Sequence, residues 1–480
     1  ELRRLQRKLE LQDQEQDAIY QIVEARYHPD QSVGSTGIEG YLDRELTGRN
    51  GYREVVGLEE QNGQGRPALY HPPVDGQDVE LTLDLDLQRW AEWVINHPKA
   101  APETEKKPDD AWVENPVGAI VLMKVTGEVL AAASAPLVPG KQVGGADGQA
   151  LLILERTMRQ PTFLPPGSIL KPLVAAYALE NLGLNPEEAR VACSWVTEHK
   201  SKKFAGWGKV DCHRRYGHTE TNFAKIGGKD ITLARALLVS CNTYFANMGD
   251  RLYDEDDFRE LFRVFGLGQP SGVRFLSGVD SVRRGGLREE WGLEEKRSYS
   301  VVDRQRLANG LSEMSTTPLA MATAYAGLAT GQLPEARLVQ SVGGRVVPTQ
   351  SIPIKISERH LSTVRHALRA VVSKSGGSAH GVGLDEASLG FTFACKTGSA
   401  DYRKGLIPPY TDNYVRGDQQ DLVHGMRKHT WIAGWFPADN PRYVALFYLH
   451  DTATTSGHGA VHLAAQFLSN PLLDQLLEED

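Results

Sequence analysis

The sequence has only four cysteines in 480 residues, Cys193, Cys212, Cys241 and Cys395, and no Cys-x-x-Cys pair. That excludes the usual zinc-ribbon and dithiol redox spacings. It has no basic excess: 53 Lys and Arg face 61 Asp and Glu, a formal charge of -8 with a pI near 6.0. General nucleic-acid binding, which needs a basic stripe, is excluded as a class. No apolar run approaches the ~18 residues of a membrane span; "VGAIVLM" at 117–123 is far too short. No internal repeat is evident. The chain opens at Glu1 rather than Met, so a leader or anchoring segment is expected outside it. What remains, 41% hydrophobic and 24% charged, has the make-up of a globular protein with a large core.

Cys193 and Cys212 flank a loop-like stretch, "SWVTEHKSKKFAGWGKVD", and are read as either one disulfide or two buried free thiols. "CHRRYGH" offers Cys212, His213 and His218 but lacks a closing ligand pair, so no metal is expected. His458 and His462, one turn apart, are read as part of a helix start. No cofactor is expected.

Along the chain, "ELRRLQRKLELQDQEQDAIYQIVE" is a charged, leucine-spaced helix or stalk, followed by a Gly-rich stretch. "DVELTLDLDLQRWAEWVIN" switches from period two to helical spacing, with Asp at the helix cap. A boundary is set just before that strand, giving regions 1–77 and 78–480. "GAIVLMKVTGEVLAAASAP" is a hairpin closed by a Thr-Gly turn. Helices are predicted over 168–182, 231–250, 317–329, 358–373 and about 458–478. Strands are predicted at "FTFACKTGSA", "KHTWIAGWFPA" and "RYVALFYLH". Strands at both ends with helices between them imply an α/β sheet completed by distant segments.

One helix contains an apparent error. "QPTFLPPGSILKPLVAAYALE" has a lysine in the first turn of an apolar helix, Lys171, three residues after Ser168 and on its face. A serine hydroxyl becomes a nucleophile when a neighbouring base takes its proton, and a desolvated lysine is such a base. The helix N-terminus adds a positive field and free N–H groups for an oxyanion. Alone the pattern is weak, since roughly one Ser-x-x-Lys occurs by chance in a chain this long. Two more elements add weight. "LLVSCNTYFANMG" puts Ser240 and Asn242 in a buried helical setting, where a hydroxyl and an amide must find partners. "FTFACKTGSADYR" carries Lys396, Thr397, Gly398 and Ser399 along a strand: a cation, two hydroxyls, and a glycine where a ligand backbone lies alongside. The rival triplet Lys374-Ser375-Gly376 follows a helix and is read as its C-cap and loop.

The order Ser-x-x-Lys, Ser-x-Asn, Lys-Thr-Gly resembles the signature set of penicillin-binding proteins and serine β-lactamases. With "GIEGYLDRELTGRNGYREVV", "FRVFGLGQPSGV" and "MSTTPLAMATAYAGLATG", the chain resembles a class B penicillin-binding protein, a monofunctional peptidoglycan D,D-transpeptidase. The resemblance implies the β-lactamase/transpeptidase-like α/β fold, an antiparallel sheet flanked by helices with an all-helical subdomain. It makes 1–77 a stalk or linker, shorter than a full pedestal, and 78–480 the transpeptidase domain. It gives Ser168 the role of nucleophile toward D-Ala-D-Ala, and Lys171 that of its base. Ser240 relays a proton, and Asn242 orients Lys171. Thr397 and Ser399 hold the substrate carboxylate, Gly398 belongs to the same substrate-binding strand, Lys396 supplies positive potential, and the backbone N–H groups of Ser168 and Ser399 form the oxyanion hole. Ser399 departs from the family's usual threonine. The implied partners are stem peptides as donor and acceptor, β-lactams, and a separate membrane glycosyltransferase. The implied location is the outer side of the cytoplasmic membrane. Within the same chemistry, a D,D-carboxypeptidase, β-lactamase or β-lactam sensor is the alternative; a catalytically silent scaffold is another.

Overall fold

The computed structural model describes residues 34, 37–54, 69–98, 116–135, 165–193, 212, 230–253, 256–268, 285–287, 299–311, 314–402, 427–451 and 459–479. The predicted N-terminal helix, the 194–211 loop, His213, His218 and His458 lie outside them. The chain divides into two compact units.

The smaller unit comprises Glu1–Thr82, Val273–Asp280 and Val339–Pro348. Tyr52–Glu54 pairs antiparallel with Leu69–His71, and Val79–Leu81 pairs antiparallel with Val339–Val342. The partner of Val79–Leu81 lies far away in sequence, where no local pattern reveals it.

The larger unit contains the helix Leu85–Asn96 (α1), the strands Gly118–Lys124 (β1) and Val129–Ala135 (β2), and a 3₁₀ turn, Gly167–Leu170, running into Lys171–Asn181 (α2). Then come Leu233–Leu238 (α3), Asn242–Arg251 (α4), Asp257–Val264 (α5), Val301–Ala308 (α6), Pro318–Thr330 (α7) and Glu358–Ser373 (α8). Three long strands, Ala394–Tyr402 (β3), Arg427–Phe436 (β4) and Tyr443–Asp451 (β5), precede Gly459–Leu468 (α9) and Leu472–Glu479 (α10). The strands form one antiparallel sheet in the order β3-β4-β5-β1-β2. Residues Gly118–Met123 of β1 are all buried, so both faces of the sheet are covered. α1 and α9 pack together on it, as do α7 and α8. The α/β class read from sequence holds.

Local chemistry explains the well-read elements. Asp84 caps α1, accepting from Asp86 N at 3.0 Å and Leu87 N at 2.9 Å. Two predicted helices break. The 458–478 helix stops after Leu468 and restarts at Leu472, because Pro471 cannot continue it. The 231–250 helix is α3 and α4, interrupted at Ser240, and that interruption builds the site.

Candidate active site

The Ser168 turn starts from Gly167, at φ +57, where the chain enters through Pro165 and Pro166. Lys171 N donates to Ser168 O, closing the 3₁₀ turn. In a 3₁₀ turn residues i and i+3 eclipse, so Ser168 and Lys171 share one face more closely than in an α-helix. Ser168 is half-buried, whereas Lys171 is wholly buried.

α3 ends in a Schellman motif: Cys241 N donates to Ala236 O at 2.9 Å and Ser240 N to Leu237 O at 3.3 Å. The left-handed position of that motif usually takes glycine. Here it is Ser240, at φ +55, the one non-glycine residue with positive φ among the described residues. Such a conformation costs about 1–3 kcal/mol and persists where the surrounding structure demands it. Its consequence is a carbonyl and a hydroxyl turned to Lys171. Lys171 Nζ donates to Ser240 O at 2.9 Å and to Asn242 Oδ1 at 2.6 Å, and lies 3.4 Å from Ser240 Oγ. Burial pushes the Lys171 ammonium down from 10.5 to about 8, against a smaller upward pull from Cys241, Cys212 and Cys193. Hydrogen bonding with the Cys193 and Cys212 thiols, and then burial, hold the Cys241 thiol well above its ordinary range. It is therefore neutral at pH 7, and burial is the influence that governs Lys171.

β3 is an edge strand, and it lies against the Ser168 turn. A Cβ on Gly398 would sit 2.8 Å from Pro166 O and 3.0 Å from Ile169 N. A Cβ on Gly167 would sit 2.4 Å from Ser399 O and 3.2 Å from Ser399 N. The close approach that Gly398 permits is thus by the chain's own Ser168 turn, where the sequence suggested a ligand. Strand periodicity puts Thr397 and Ser399 on one face; Ser399 is exposed and Thr397 half-buried. Lys396 is wholly buried and donates to Thr397 O at 3.0 Å. Burial first, then the Lys171 charge, push its ammonium well below the usual lysine range. The site therefore has accessible hydroxyls above two buried lysines. All the residues singled out from the three motifs fall along these contacts.

Several contributors had no signal in the motifs. Trp431 Nε1 donates to Pro165 O at 3.1 Å, and Tyr325 Oη donates to Ile169 O at 2.7 Å, so the turn is held from the sheet and from α7. Buried Trp and Tyr donors need acceptors, which is the only hint the sequence carries. The Lys374–Gly376 segment is a helix end, with Lys374 as C-cap and Gly376 at φ +86. Yet two residues on, Ser378 Oγ accepts from Thr397 Oγ1 at 2.6 Å.

Among the described residues, one cluster has donors that suit a soft cation: Cys193, Cys212 and Cys241, all buried, with sulfurs within 4.8 Å of one another. Cys193 Sγ lies 3.7 Å from Cys212 Sγ and 3.3 Å from Cys241 Sγ. Cys241, between Ser240 and Asn242, thus joins the pair read from sequence. If Cys193 and Cys212 are bridged, non-reducing intact mass falls two hydrogens below the reduced mass; equal masses with three alkylatable thiols in the cluster rule the bridge out.

Residues 117–470 match the family model described as the penicillin binding protein transpeptidase domain. The chain is 24% identical over 457 residues to the peptidoglycan D,D-transpeptidase MrdA of Haemophilus influenzae, covering 91% of this chain and 62% of that relative. It is 27% identical over 466 residues to the penicillin-binding protein PbpB of Mycolicibacterium smegmatis, covering 93% of this chain and 61% of that one. It thus spans under two-thirds of the length of these curated relatives. Among solved structures, Pseudomonas aeruginosa PBP2 in complex with WCK 5153 matches with a TM-score of 0.66 at 21% identity, over 94% of this chain and 87% of that one. The Helicobacter pylori complex of PBP2 with MreC matches with a TM-score of 0.67 at 21% identity, over 96% and 75%. These two show likeness of fold.

Proposed function

The chain belongs to the penicillin-binding-protein transpeptidase family, as a class B penicillin-binding protein, and from that premise we propose that it is a serine-type peptidoglycan D,D-transpeptidase. The observation that carries this reading is the buried Lys171, one 3₁₀ turn after Ser168 and gripped by Ser240 and Asn242.

The two close acceptors, Ser240 O and Asn242 Oδ1, take two of the three Lys171 protons. Loss of the third leaves a lone pair to accept the Ser168 proton. Ser168 Oγ attacks the carbonyl of the penultimate D-alanine, and the backbone N–H groups of Ser168 and Ser399 stabilise the oxyanion. Ser240 passes a proton to the leaving D-alanine. An amine of a neighbouring stem peptide then attacks the ester, gives up a proton, and frees Ser168 with a cross-link formed. Thr397 and Ser399 hold the terminal carboxylate. That carboxylate brings the negative charge which lets Lys396, whose charge burial disfavours, take its proton.

β-Lactams would acylate the same serine. We assign residues 1–77 to a stalk or linker and 78–480 to the transpeptidase region. A membrane glycosyltransferase would supply the glycan strands, at the outer side of the cytoplasmic membrane. Among the described residues no helix is long and apolar enough to cross a membrane.

The test is to incubate the protein with benzylpenicillin and map the adduct by peptide mass. A stable adduct on the peptide containing Ser168 supports the reading. An adduct on another residue refutes it, and rapid nitrocefin turnover would make the protein a hydrolase instead.

A further inference from the structure

α6 ends in a second Schellman motif: Leu311 N donates to Arg306 O at 2.9 Å and Gly310 N to Leu307 O at 2.8 Å. Gly310 occupies the left-handed position at φ +71. This motif does more than end a helix. Gly310 O accepts from Gly167 N at 2.9 Å, and a Cβ on Gly310 would sit 2.0 Å from Gly167 O. The residue before it, Asn309, is 2% exposed. Asn309 Nδ2 donates to Gln305 O at 2.9 Å and to Asn242 O at 3.3 Å. Both partners are carbonyls, which fixes the orientation of the amide. Its Oδ1 is buried without a hydrogen-bond partner among the described residues.

A position serving packing alone would be better filled by an apolar side chain than by an amide with an unmet acceptor. α6 is also fastened to α4 along its length. Gln305 Nε2 donates to both carboxylate oxygens of Asp250, at 3.0 and 2.9 Å. Gly249 lets the backbones close up, since a Cβ there would sit 2.5 Å from Arg304 O. Two consecutive residues thus touch the backbones of both motifs: Gly310 the residue before Ser168, and Asn309 the residue that grips Lys171.

We propose that Asn309 and Gly310 form a positioning clasp, which sets the Ser168 turn at a fixed distance from the Asn242 grip on Lys171. The proposal rests on Ser168 being the nucleophile and Lys171 its base. Neither clasp residue touches substrate; both act through Gly167 and Asn242. Without the Asn309 bond, α4 shifts relative to the turn, and the reacting groups lose alignment while the entrance is unchanged. The cost should fall on the acylation step and spare initial binding.

The experiment measures the rate of acylation by a fluorescent penicillin over a range of concentrations, so that the saturating rate and the non-covalent dissociation constant separate. The variants are Asn309→Ala and Asn309→Leu, with Arg337→Ala as a control that breaks the distant Glu128–Arg337 pair. Asn309→Leu fills the volume and removes the unmet acceptor, so its melting temperature should equal or exceed that of Asn309→Ala. The clasp predicts a saturating rate about ten- to a hundredfold lower in both Asn309 variants, a dissociation constant within about twofold of wild type, and an unchanged rate in Arg337→Ala. A merely structural role predicts that Asn309→Leu regains the rate along with stability, and that outcome overturns the clasp. So does a rate loss in Arg337→Ala matching that of Asn309→Ala. Peptide mapping of the wild-type adduct separates the two levels. An adduct absent from Ser168 defeats the functional reading and the clasp with it; an adduct on Ser168 with full-rate Asn309 variants defeats the clasp alone.

Discussion

Replacing Lys171 by arginine or methionine should lower the acylation rate by about three to four orders of magnitude, the upper range for removing a general base. Guanidinium cannot release a proton near neutrality, and methionine has none to exchange. The two variants should part in stability. Lys171 is wholly buried, and its partners among the described residues are an amide oxygen, a carbonyl and a hydroxyl, with no carboxylate among them. Arginine puts a larger, permanently charged group into that space and should destabilise; methionine removes the charge and fits. The sign with pH follows from the same burial. In the folded protein Lys171 loses its proton at about 8, against 10.5 for the ordinary side chain. Between those values the unfolded chain binds the extra proton, so wild-type stability rises with pH across the window. Below pH 8 the desolvation cost is felt in full. The methionine variant should lack that rise. Acylation by wild type should climb through pH 8 and then level off, because only the neutral amine is a base. Acylation by Lys171→Met within tenfold of wild type would remove Lys171 from the base role.

The sequence was most legible where chemistry is local. Asp84 as a cap, the hairpin through Gly127, and the helix over 358–373 follow from residues within a few positions of one another. Ser168 and Lys171 were legible for the same reason, since three residues of spacing is a statement about one turn. Contacts that close over long separations were not. Gly167, Gly310 and Gly398 meet at one place from three parts of the chain, and each alone is an ordinary loop or strand glycine. The Ser240 break was hidden differently. "LLVSCNTYF" keeps helical apolar spacing straight through it, and the Schellman motif carries serine where glycine would have marked the stop. The third thiol, Cys241, was visible as a residue, but only folding brings it to Cys193.

Gly398→Ala tests the same convergence by adding one methyl group. The new carbon would sit 2.8 Å from Pro166 O, 2.9 Å from Ile169 Cγ2 and 3.0 Å from Ile169 N. Two of those three atoms are backbone, and the backbone there is pinned. Trp431 Nε1 holds Pro165 O, Tyr325 Oη holds Ile169 O, and Gly310 O holds Gly167 N. Nor can β3 retreat freely, because Gly398 pairs with Trp431 in the β3–β4 register. The strain must separate the Ser168 turn from the strand bearing Thr397 and Ser399. A displacement of about 1 Å costs on the order of a hundredfold in rate, and forcing a methyl into a packed contact costs about 1–3 kcal/mol in stability. Gly183→Ala is the comparison. Unlike Gly398, Gly183 has positive φ, +58, and a Cβ there would meet nothing within 4 Å. It should lose stability through backbone strain while acylating at the wild-type rate. If Gly398→Ala likewise keeps the wild-type rate, the contact between strand and turn does not set the chemistry. A hundredfold loss in Gly398→Ala alone would mean that the spacing between the Ser168 turn and β3 is part of the catalytic machinery.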